Sequence, residues 1–161
     1  MTKNEIRERE ARTGLLIRMV DVNRTRTPQA MLKATGCVPY VDSDVVTTMP
    51  KGESDKVELC FFQVPGNPSD DDLASAYDLR GLAPADPFAL GDFNAANREF
   101  ADKHSNATHW KNADGRYCGV VFDYWNGKRG VSVYRNDGGG KWCGYWWFAG
   151  VRKSTLSTTV E

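Results

Sequence analysis

Apolar and polar positions are patterned differently in the two parts of this chain. In the first two-thirds, short apolar clusters are bounded by capping residues, glycines and prolines. Residues 3–12 combine strong helix formers with Glu and Arg at neighbouring helical spacings, and Gly14 stops them, which predicts a first helix. Leu15 to Val22 is apolar and β-branched enough for a strand. Thr27 has the character of an N-cap with Pro28 at the first helical position, so a short helix runs through Leu32 and ends at Gly36. A second short helix starts at Asp42 or Ser43 and ends before Pro50, with Pro39 in the turn between the two. Val57 to Val64 is apolar at nearly every position and reads as a buried strand. Ser69 caps a helix that opens on Asp70, Asp71 and Asp72, where carboxylates favour the helix dipole, and that ends at Gly81. Leu82 to Leu90, interrupted by Pro84 and Pro87, reads as a loop or single turn, followed by a helix from about Phe93 to Lys103.

The last third alternates instead, between turn signals at Asp114-Gly115, Asn126-Gly127 and Asn136-Asp137-Gly138-Gly139-Gly140. Asn-Gly between alternating apolar runs is a strong hairpin signal, so the expectation is an antiparallel meander of about four strands. A two-residue Asn126-Gly127 turn pairs Trp125 with Lys128, and Phe122, Val120 and Cys118 with Val131, Val133 and Arg135. Reading residues 136–140 as a five-residue loop then adds Cys143, Tyr145 and Trp147 to the Cys118 face. The opposite face collects Tyr117, Val121, Trp125, Tyr134, Trp142, Trp146 and Phe148, and Trp110 joins it if the first turn has two or four residues. Eleven of the eighteen aromatic residues lie between Trp110 and Phe148, so both faces of this sheet carry large rings. Either helices or the N-terminal strand cover both faces, or one face is an exposed aromatic platform for a partner. The fold class expected is α+β: short N-terminal helices with one or two strands, then the meander. Residues 1–153 form a single domain and residues 154–161 a disordered tail.

With 161 residues and 40% apolar content, the chain is large enough for one core, and no apolar run is long enough for a membrane helix. The polar N-terminus lacks the apolar segment of a signal peptide, and Cys37, Cys60, Cys118 and Cys143 form no close pair, so free thiols and a cytoplasmic location are expected. Charge is balanced overall but not locally. Residues 1–36 carry eight basic and four acidic side chains, residues 37–102 four and thirteen, and residues 103–161 nine and four. The blocks either neutralise one another within the fold or leave the acidic middle facing a basic partner.

Candidates for chemistry are few. His104 and His109 are the only histidines, and a four-residue first turn sets His109 opposite Cys118, a pairing that could activate a thiolate. An ordinary buried pair is the competing reading. His104, His109, Cys118 and Cys143 match no compact zinc spacing, and Gly138-Gly139-Gly140-Lys141 lacks the context of a phosphate loop. No catalytic residue, cofactor or metal is therefore assigned. Rings on a sheet with Arg and Lys nearby also suit single-stranded nucleic acid, although the acidic block opposes a phosphate backbone.

Three segments, Arg26-Thr27-Pro28-Gln29-Ala30 with Thr35-Gly36, Thr108-His109-Trp110-Lys111 with Asp114-Gly115, and Trp146-Trp147-Phe148-Ala149-Gly150, give most of the chain a resemblance to small uncharacterised proteins carried by bacteriophages, prophages and mobile elements. The resemblance implies an accessory protein that binds a host protein, for instance a defence component, without doing chemistry. The expected function is thus partner binding, with Trp110, Trp125, Tyr134, Trp142 and Trp146 as aromatic anchors and Asp70, Asp71 and Asp72 steering a basic partner. Single-stranded nucleic-acid binding through the same rings is the alternative, and the oligomeric state stays open.

Overall fold

The computed structural model describes residues 2–137 and 140–153; the expected tail at 154–161 and the centre of the glycine loop lie outside them. The described elements are α1 (Lys3–Thr13), β1 (Leu16–Asp21), α2 (Pro28–Ala34), β2 (Val38–Val41), α3 (Ser43–Val46), β3 (Lys56–Phe62) and α4 (Asp70–Leu79). They continue with β4 (Leu82–Pro84), α5 (Pro87–Ala96), α6 (Phe100–Lys103), β5 (Asn106–Lys111), β6 (Tyr117–Trp125), β7 (Lys128–Arg135) and β8 (Trp147–Arg152). Among the described residues no helix is long and apolar enough to cross a membrane.

The caps explain most of the helices. Thr2 and Ser69 form reciprocal capping boxes with Glu5 and Asp72, Thr27 Oγ1 accepts from Ala30 N–H, and Gly14 ends α1 in the left-handed conformation at φ 73°. The loop expected at 82–90 is corrected. Leu82–Pro84 pairs with β8, and Asp86 followed by Pro87 repeats the Thr27-Pro28 start signal, so the helix begins at Pro87 and stops at Ala96. Pro87 is thus a helix starter here, whereas the expected 93–103 helix is split at Asn97.

All eight strands belong to one mixed sheet in the order β1-β3-β8-β5-β6-β7-β2, with β4 also on β8. The α+β class holds, but the meander has three strands. β8 leaves β7 altogether and runs antiparallel to β3 and parallel to β5. Residues 141–146, expected to lead the fourth strand, instead fold back across the sheet, where Trp142 N–H donates to Pro68 C=O at 2.8 Å. β2 was not anticipated; it runs parallel to β7 as an edge strand, and Pro39 removes an N–H from its outward side, which blunts the edge against further pairing.

Helices and chain cover both faces. On one, α2, α3 and α5 pack Met31, Val45, Phe88 and Phe93 over Leu59, Phe61, Val120, Phe122 and Val131. On the other, α4 and residues 141–146 set Leu73, Tyr77 and Trp142 over Cys60, Phe62, Val121 and Phe148. Trp142 is 0% exposed, and Gly119 makes room for its ring: a β-carbon there would lie 2.7 Å from Cζ3.

Ion pairs tie the charge blocks together. Six of the eight among the described residues join the acidic middle to a flanking basic block, as in Arg9–Glu58, Arg26–Asp92 and Arg129–Asp102. Arg24 donates to Asp86 at 2.8 Å, and also to the Lys51 and Ser54 carbonyls, while the same carboxylate oxygen caps α5 through Ala89 N–H at 3.0 Å. Asp86→Ala is therefore expected to destabilise the protein by about 2–4 kcal/mol, since it removes a helix cap and strands a largely buried arginine. Asp86→Asn, which keeps an acceptor, should lose clearly less in urea unfolding.

Candidate binding surface

The β6–β7 hairpin has the expected register. Asn126 (φ 54°) and Gly127 (φ 77°) make the two-residue turn, and Trp125 faces Lys128, Phe122 faces Val131 and Cys118 faces Arg135. The β5–β6 register is corrected. Gly115 adopts φ 78° and Asn112 N–H donates to Arg116 C=O at 2.8 Å, leaving three residues between them, so Trp110 pairs with Cys118 and His109 with Gly119. An odd loop reverses the face of every β5 side chain. Trp110 thus lies buried beneath the turn that follows α3, its Nε1–H donating to Thr48 Oγ1 at 3.0 Å.

The same reversal separates His109 from Cys118, which occupy opposite sides of the sheet. Neither the thiolate pair nor the four-residue zinc set is assembled, and the described residues hold no group of three or more His, Cys, Asp or Glu side chains placed for a metal. Burial pushes the Cys118 thiol up, and burial followed by the charge of Glu58 pushes Cys60 up to about 11. His109 is 3% exposed and stacked between Tyr77 and Tyr117, at 5.2 and 5.3 Å. Neither ring nitrogen has a hydrogen-bond partner among the described residues, and burial lowers its pKa to about 4.

The expected anchors divide accordingly. Trp142 is core, and its Nε1–H donates to Asp70 Oδ1 at 2.7 Å, which also accepts from Asn136 Nδ2 at 2.9 Å. Tyr134 and Trp146 are half-buried beside Trp142 and Phe148. Asp70 and Asp72 serve α4 as a tie and a cap, and Asp71 and Asp72 are both exposed. Of the two readings of the ring-bearing faces, cover on both sides holds: helices and covering chain bury most of the rings, and no broad exposed platform is present among the described residues.

One part of that face stays open, at the β2 edge beyond the reach of α4. Trp125 is 77% exposed, and Tyr40 from β2, beside Ser132, is 62% exposed. With Asp123, Lys128, Gly130 and Ser132 they line a recess of about 350 Å³. Gly130 is its floor: a β-carbon there would lie 3.2 Å from Asp123 Oδ1 and 3.3 Å from the Tyr40 ring. Asp123 is half-buried, its carboxylate has no hydrogen bond or ion pair among the described residues, and desolvation holds it above the usual carboxylate range. Tyr145 (71% exposed) lines a separate recess with Gly14, Gln63, Pro65 and Gly66, and its phenol is pushed up by pairing with Cys143.

Of the sequence candidates, the recess retains Trp125. Tyr40 escaped notice because Pro39 suggested a turn. Asp123 was legible as a lone carboxylate within an otherwise apolar strand, on the same parity as Trp125. The chain matches no family of known proteins, no curated protein and no solved structure.

Proposed function

We propose that this protein is a non-enzymatic binding module that holds a protein partner through the open recess of Tyr40 and Trp125 around Asp123. The observation that carries the reading is the coincidence of two exposed large rings with a carboxylate that is partly desolvated yet unmatched among the described residues. Exposed rings of this kind supply contact area with few torsions to freeze, and such residues dominate interface energetics. The resemblance to accessory proteins of phages and mobile elements supports a bacterial host protein as the partner, a defence component among the options. Single-stranded nucleic acid would find two stackable rings and Lys128, but it would lay a phosphate backbone across an unpaired carboxylate, which opposes it.

Affinity capture from a bacterial lysate, with nuclease-treated and untreated halves run side by side, separates the two readings. A stoichiometric protein that survives nuclease is the expected result. Nucleic acid as the catch, or a catch that disappears with nuclease, would move the function to the stacking alternative.

A further inference from the structure

Building on the partner-binding reading, we infer that the recess between Tyr40 and Trp125 receives the guanidinium of an arginine side chain, with Asp123 as its counter-charge and Gly130 as its floor. Four features point to this ligand. The rings present π faces that attract a cation. Asp123 is the one carboxylate of the recess, and none of its oxygens accepts from a donor among the described residues. Ser132 adds a hydroxyl beside it. Gly130 lets Asp123 and the Tyr40 ring close over the backbone, where the β-carbon of any other residue would crowd both.

The chemistry discriminates among cations and against other ligands. A guanidinium is planar, weakly hydrated, able to stack on an aromatic face and able to donate two parallel hydrogen bonds to one carboxylate. An ammonium is a more strongly hydrated point charge and offers no plane to stack. A purely apolar group would desolvate Asp123 further with nothing to bond it, and an anion would meet the same charge unscreened. Lys128 lines the recess opposite Trp125 without pairing with Asp123, so its charge repels an incoming cation and keeps the resting affinity low.

The test titrates the full-length ¹⁵N-labelled protein with three blocked tripeptides, glycine–X–glycine, where X is arginine, lysine or citrulline. Citrulline matches arginine in shape and lacks its charge. The Trp125 indole N–H, assigned with Trp125→Phe, and the amides of Asp123, Gly130 and Ser132 are followed. The arginine peptide should give saturable shifts confined to these positions, with lysine about fivefold weaker and citrulline without effect. Asp123→Asn should weaken arginine by about tenfold while its spectrum stays folded, and Lys128→Gln should tighten it by about threefold. Equal binding of citrulline or lysine, indifference to Asp123→Asn, or no shift at these positions would overturn the inference. If the peptides fail while Tyr40→Ala/Trp125→Ala still abolishes partner capture, the arginine assignment alone falls; if capture is also indifferent to that double variant, the binding surface falls with it.

Discussion

Trp142→Ala is expected to destabilise the protein by about 5 kcal/mol, whereas Trp125→Ala, the same change at the hairpin tip, should stay within about 0.5 kcal/mol. The difference follows from burial. Trp142 is fully enclosed between Gly119, Tyr134, His109 and Phe148, and its indole N–H is the 2.7 Å donor to Asp70. Alanine empties a ring-sized volume and leaves Asp70 with Asn136 as its remaining side-chain donor. Because small domains hold only about 5–15 kcal/mol in total, such a loss should leave much of the population unfolded at moderate temperature. Trp142→Phe keeps a ring on the sheet and should recover more than half of the loss. Urea unfolding of the four proteins is the check, and similar midpoints for Trp142→Ala and Trp125→Ala would contradict the assignment of one ring to the core and the other to solvent.

The second large effect is a loss of stability in mild acid, traced to His109. Its pKa falls from 6.5 to about 4 because burial between Tyr77 and Tyr117 disfavours the charged ring. A depressed histidine pKa makes the unfolded chain the better proton binder between those two values. Stability from this group is therefore intact above pH 6.5, declines as pH falls toward 4 and levels off below it, by about 3 kcal/mol in all. His109→Phe keeps a flat ring in the stack and removes two unpartnered nitrogens, so it should match or exceed the wild type at pH 7.5. Unfolding at pH 7.5 and 4.5 should show the wild type losing most of that contribution and the variant retaining it. Parallel losses in both proteins would remove His109 as the source. Asp72 and Asp102, held low by the Ser69 cap and by Arg129, lose their contributions only as pH falls into the carboxylate range, below the histidine window.

Local signals were legible where the chemistry that shapes an element lies within a few residues. Thr27-Pro28, Ser69 with its Asp run, and Asn126-Gly127 each determine a cap or turn by themselves, and the elements built on them stand where the spacing placed them. Asp86-Pro87 carried the same message as Thr27-Pro28, but Pro84 close by made the whole stretch resemble a loop. The Asn112–Arg116 connection shows how little separates a right face from a wrong one: one left-handed Gly115 makes the count odd and carries Trp110 from one core to the other. Parallel partners had no local signal at all. β2 on β7 and β8 on β5 join distant segments, and those pairings decide which rings remain open. That is why the recess was only partly visible: Trp125 and Asp123 share a strand, whereas Tyr40 reaches them through a parallel edge pairing. The charge blocks resolve the same way, with arginines of both flanking blocks pairing with the acidic middle, so Asp123, outside that block and without a side-chain partner among the described residues, is the more informative carboxylate.

The most direct test of the central claim measures stability and partner capture together for Tyr40→Ala/Trp125→Ala. The account predicts an unfolding midpoint close to the wild type, because both rings are mostly solvated, and a loss of about hundredfold or more in retention of the captured protein. Undiminished retention, or a loss of retention that only tracks a loss of fold, would contradict it.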